Sequence, residues 1–137
     1  MSPTDRPGGS SPDGDPIARA REYLLAERRE FLADVLTPAD GLDDPDADAL
    51  RAALESRGLL ERSPAVLGET VEAIGRELPH EPVAKPPYVV VTSAGLVLRA
   101  VFGDDRLVIT VAAFEYRGGE WVRHATPEAA LRVRHRD

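Results

Sequence analysis

Residues 96–117, LVLRAVFGDDRLVITVAAFEYR, decide the fold. Two runs rich in β-branched residues flank Gly103-Asp104-Asp105, and the second runs on without a breaker to Arg117. With Asp104 and Asp105 as a two-residue loop, Phe102 falls opposite Leu107, Ala100 opposite Ile109 and Leu98 opposite Val111. The large apolar side chains then share one face, whereas a one-residue slip sets Leu98 against Thr110. The second face holds Val97, Arg99, Val101, Val108, Thr110 and Ala112. The spacing therefore predicts strands over 96–102 and 106–117.

Working outward, Gly118-Gly119 is a strong hairpin signal, because both positions tolerate positive φ. It leads into a strand over 120–125 and sets Tyr116 opposite Trp121 and Phe114 opposite Arg123. Upstream, Tyr88 to Thr92 reads as a strand, separated by Ser93-Ala94-Gly95. Downstream, a short C-terminal strand alternates Leu131, Val133 and His135 with Arg132, Arg134 and Arg136 on its wet face. The whole is an antiparallel β-meander of four to five strands over 88–137.

Before Tyr88 the periodicity is helical. Asp15-Pro16 supplies a cap and a first helical residue. Ile17, Ala20, Leu24, Phe31 and Val35 line one face of a helix that Pro38 ends, with Glu27 and Arg28 snorkelling at its edge. Asp44-Pro45 repeats the device for a second helix to Arg57, stopped by Gly58. Ser63-Pro64 opens a third, with Leu67, Val71, Ile74 and Leu78 as its apolar stripe and Pro79 as its end. Gly68 and Gly75 flank that stripe, which predicts close approach of another element. Residues 80–87 hold three further prolines and read as an extended connector. The fold class is thus α+β: three N-terminal helices (15–79) packed on the meander, as one domain over 15–137. Residues 1–14, with three Pro, three Gly, three Ser and no large apolar residue beyond Met1, read as a disordered tail.

The 137 residues carry one Lys, Lys85, against sixteen Arg, with twelve Asp, twelve Glu and no Cys. Carboxylate excess and loss of Lys suit a surface hydrated in concentrated salt, where charges are screened beyond ~3 Å at 1 M. The charge is uneven: residues 1–87 have a net charge of −8 and residues 88–137 of +1. The second half is the less repulsive surface for an anion or an acidic partner. No apolar run nears the ~18 residues of a membrane span, and the N-terminus has no signal pattern. The expectation is a cytoplasmic protein.

No catalytic pattern emerges. Ser93 lies outside any nucleophile elbow, and the chain has no phosphate-binding glycine loop. His80, His124 and His135 lack metal-ligand spacing, so neither metal nor cofactor is expected. The five Asp of residues 37–48 come in the wrong order for a calcium loop and read as a solvated acidic segment. The one lead is the second sheet face, where Phe114, Tyr116 and Trp121 fall with Arg99 and Arg123, a composition typical of partner surfaces. The role expected is a non-catalytic interaction or regulatory module with a protein partner. The alternative is a nucleic-acid-binding regulator of winged-helix type. It is disfavoured because the third helix carries Glu69, Glu72 and Glu77 against one base, Arg76.

The segment PPYVVVTSAGLVLRA (86–100), with Leu59-Leu60 and Pro64-Ala65-Val66-Leu67 upstream, resembles a family of small, uncharacterised haloarchaeal proteins. The resemblance spans residues 15–137. It implies a salt-adapted cytoplasmic origin and carries over no functional residue.

Overall fold

In a computed structural model, described for residues 15–42 and 44–136, the helices come first and the sheet second. The expected tail, residues 1–14, lies outside the described residues.

The first helix of the sequence reading is two helices, α1 (Pro16–Glu27) and α2 (Arg29–Leu36), hinged at Arg28. Asp15 caps α1 as expected, accepting from the Ile17 and Ala18 amides. Arg28 leaves helical geometry (φ −126°, ψ 24°), and its guanidinium donates to Glu69 on the helix behind, with Nε at 2.7 Å. A tertiary ion pair thus takes Arg28 away from the helix edge. Ala20 and Leu24 are buried in α1, and Phe31, Leu32, Val35 and Leu36 in α2, but Ile17 is 40% exposed.

A short 3₁₀ turn, Pro38–Gly41, leads to α3 (Ala47–Ser56). Its cap is Asp46, which takes the Asp48 and Ala49 amides, so the helix starts two residues later than the Asp44-Pro45 reading. Helix α4 (Leu59–Ala73) corrects the third prediction at both ends. It starts directly after Gly58 because Leu59 and Leu60 are core residues. Their burial is worth ~1.5–3 kcal/mol each, enough to carry Pro64 inside the helix at a cost of ~3 kcal/mol. It stops at Gly75, not Pro79. Gly75 (φ 78°) donates to the Glu72 carbonyl at 2.9 Å, and Arg76 to Val71 at 3.1 Å, the paired bonds of a left-handed helix stop. A Cβ on Gly68 would meet nothing within 4 Å, and one on Gly75 only the tip of Arg19, so the predicted close approach is absent at both.

The meander is present, with strands β1 (Val89–Val91), β2 (Gly95–Phe102), β3 (Asp105–Ala112), β4 (Phe114–Arg117), β5 (Glu120–Arg123) and β6 (Leu131–Arg136). A one-turn helix, α5 (Pro127–Ala130), precedes β6. They form a four-stranded antiparallel sheet in the order β1-β2-β3-β6 and a separate β4–β5 hairpin. The β2–β3 register differs by two residues from the sequence reading: Phe102 pairs with Asp105, Ala100 with Leu107 and Leu98 with Ile109. The turn is Gly103-Asp104, because Gly103 (φ 66°) supplies the positive φ a tight hairpin needs. A two-residue shift preserves facing, so the apolar set is as predicted.

Leu96, Leu98, Ala100, Phe102, Leu107, Ile109 and Val111 face the helices and are buried. The predicted single strand 106–117 breaks at Ala113, which together with Phe114 is buried. The hairpin β4–β5 stays tied to the main sheet where Phe114 N–H donates to Ala94 and His124 N–H to Ala113. Gly95 is where close approach occurs: a Cβ there would lie 1.9 Å from the Val111 carbonyl oxygen.

Candidate functional site

Helices cover one face of the four-stranded sheet. On the other, alternation in β2, β3 and β6 presents Arg99 and Val101, then Arg106 and Val108, then Arg132, Arg134 and Arg136. All five arginines are exposed, and Val101 is 50% exposed. Cross-strand register builds rows from them. Arg106 pairs directly with Arg136, and Val108 lies between Arg99 and Arg134. Arg99, Arg106, Arg134 and Arg136 line a depression of about 270 Å³ floored by Val108. Among the described residues none of these four guanidinium groups makes a hydrogen bond or ion pair. Like charges set directly opposite each other destabilise a sheet, and this chain has a net charge of −7.

The predicted aromatic cluster divides. Tyr116 and Trp121 pair as expected, edge to face with centroids 5.3 Å apart, and are 62% and 45% exposed. Phe114 is 3% exposed and belongs to the core. Arg123 lies over the Phe114 ring, its guanidinium carbon 5.1 Å from the centroid, and donates to the Leu42 carbonyl at 2.6 Å. Arg99 is on the open sheet face, remote in register from this group. The break at Ala113 is the reason: it turns the strand, so Phe114 leaves the face that Val108 and Thr110 occupy. The sequence reading also missed that Arg106 joins Arg134 and Arg136 across the sheet. The signal was present, since β6 alternates and Arg106 follows a turn, but the strand order β3-β6 was needed to bring them together.

Glu115, on the opposite side of β4 from Tyr116, ties the hairpin to β6. Its carboxylate meets His124 Nε2 at 2.8 Å, Arg132 at 3.0 Å and Arg117 at 3.1 Å. Its pKa is pulled down to about 2, first by the His124 hydrogen bond and then by Arg117 and Arg132. Glu69 is likewise held below the usual carboxylate range by Arg28, with a smaller contribution from the Tyr23 hydroxyl, which donates to it at 2.9 Å. Burial and Glu69 push Tyr23 up. Arg29 does the same for Glu128 as Arg28 does for Glu69. A second depression, of about 320 Å³, is lined by Glu72, Glu77, His80 and Glu81 beside Leu78 and Pro79. Among the described residues no group of three or more His, Asp and Glu is placed to hold a metal ion. No helix there is long and apolar enough to cross a membrane.

Residues 18–136 match the model of a domain of unknown function, DUF7988. The chain belongs to that family. The match takes in every helix and strand but the first two residues of α1, so the arginine face and the aromatic hairpin both lie inside the family domain. Comparison with curated proteins and with solved structures finds no match.

Proposed function

We propose that the chain is a non-catalytic interaction or regulatory module of a salt-adapted, haloarchaeal cytoplasm, and that it binds through the helix-free face of its sheet. The observation that carries this reading is the set of four exposed arginines, among the described residues without ion partners, gathered on one face of an acidic chain. Self-repelling charge kept together on a surface is what a binding site needs and what folding alone disfavours. The exposed Tyr116–Trp121 pair supplies a second, apolar contact at the hairpin. Phe114 supports that hairpin from within, and Arg123 covers its ring from the solvent side. The salt-adapted origin is supported by the single Lys among seventeen basic residues and by the acid excess.

Glu69, Glu115 and Glu128 are all driven toward the ionised form by arginine or histidine partners, whereas a general acid at neutral pH needs a carboxyl driven the other way. The winged-helix alternative has less behind it: α4 buries Leu59, Leu60, Val66, Leu67 and Val71 and exposes Glu61 and Glu72.

The test compares the native chain with an Arg99→Thr/Arg134→Thr variant, each recovered from the native host in high salt and analysed by native mass spectrometry. The expected result is a bound species on the native chain that is missing from the variant, with identical circular dichroism. An unchanged set of bound species would overturn the assignment of this face.

A further inference from the structure

Resting on that reading of the sheet face, we infer that its ligand is a small oligophosphate, a molecule carrying three or more linked phosphoryl groups. The argument is one of charge density and extent. Adjacent strands are ~4.8 Å apart and alternate residues of one strand ~6.6 Å apart. Arg99 and Arg134 flank Val108 two strands apart, Arg106 and Arg136 pair directly, and Arg134 and Arg136 are alternate residues of β6. Four permanent positive charges therefore originate within a patch ~10 Å across. They line a depression of about 270 Å³, small-molecule in scale, with an apolar floor at Val108 and no carboxylate in its lining. Guanidinium forks match phosphate oxygens two at a time. Four of them around one hollow call for an anion whose charges are equally crowded.

The patch is also closed on its borders. Toward the next row, Val97–Thr110–Arg132, the arginine is already engaged by Glu115 at 3.0 Å. Toward the turn, Asp104 and Asp105 share a neighbouring hollow with Arg106 and Arg136. A nucleic-acid strand needs a basic groove that tracks its backbone, with aromatic platforms for its bases. Here the basic area ends after two rows, the outer residues between the arginines are Val101 and Val108, and the turn beside them carries Asp104 and Asp105. A compact ligand gains the four contacts and avoids the repulsion beyond them.

The probe is inorganic tripolyphosphate, titrated into the full chain by calorimetry in the lowest salt that preserves its native circular dichroism. We expect saturable one-to-one binding with a Kd of ~100 µM or tighter, weakening as salt is raised. Orthophosphate should bind at least ~10-fold more weakly, and Arg106→Thr/Arg136→Thr should lower tripolyphosphate affinity at least ~10-fold with the fold retained. No heat of binding up to millimolar tripolyphosphate overturns the inference. So does unchanged affinity in the double variant, or a twelve-nucleotide oligouridylate binding at least ~10-fold more tightly than tripolyphosphate, which would assign the face to nucleic acid. If tripolyphosphate fails to bind while the variants stay folded and lose the species recovered from the host, the oligophosphate falls and the binding face stands. If the arginine variants unfold, the binding face itself falls.

Discussion

The two faces of the four-stranded sheet are built from the same strands and obey opposite rules. Toward the helices, the positions are apolar and closed along most of their length, with Asp105 and His135 the polar residues at the turn end. Leu98, Leu107 and Ile109 are 1% exposed or less. Toward solvent, the intervening positions bring arginine beside arginine. Folding alone explains the apolar set of the first face. It does not explain the second, because sparing one or two of those arginines would cost the fold nothing. The contrast separates residues that make the structure from residues that, on the proposed reading, use it.

The comparison can be broken most sharply on the closed face. Leu107→Ala should cost about 2–5 kcal/mol in urea unfolding, the range for a fully buried leucine. A loss under about 1 kcal/mol would show that the core face is loosely packed. Between the faces lies Gly95. A methyl group there must displace the Val111 carbonyl, so Gly95→Ala should destabilise by about 1–3 kcal/mol through strand separation. An unchanged melting temperature would mean that β2 and β3 do not approach as closely as described. On the open face the sign reverses. Arg106→Thr/Arg136→Thr should leave stability unchanged or raise it by up to about 1 kcal/mol, by removing a like-charged cross-strand pair. A clear drop in melting temperature would move these arginines into the structural class.

The smallest effect concerns the junction of hairpin and sheet. Glu115 titrates near 2 in the fold and at about 4.3 when unfolded. A lowered folded pKa gives stability that is fully present above the unfolded value and is lost as pH falls through the folded one. Denaturation midpoints of the native chain and Glu115→Gln should therefore differ at pH 6 and converge from about pH 4.3 down to about pH 2. A constant difference across that window would show that the His124, Arg117 and Arg132 contacts do not act through the carboxylate charge.

The α+β order, the strand positions and the facing of β2 and β3 were legible because period-two alternation survives errors of register by two. The hairpin pairing of Tyr116 with Trp121 was legible because Gly118-Gly119 admits few turns. What escaped were features set by distant partners. Arg28 breaks a helix that local propensity would continue, because Glu69 on α4 pairs with its guanidinium. Pro64 sits inside α4 because Leu59 and Leu60 have a core to fill. The break at Ala113 has no breaker residue at all, so Phe114 read as part of a surface that it leaves. The candidate site was half visible: Arg99, Arg132, Arg134 and Arg136 could each be placed on a wet face, but only the strand order made them neighbours of Arg106.

β6 ends the sheet, and an end strand offers its free amides and carbonyls to any other strand of matching length. Here Arg21, reaching from α1, already occupies the Leu131 carbonyl at 2.9 Å. The remaining length carries Arg132, Arg134 and Arg136, so a second copy docking strand against strand would set arginine against arginine along the seam. The charge pattern that suits this face to an anion thereby also discourages edge-to-edge growth into fibrils.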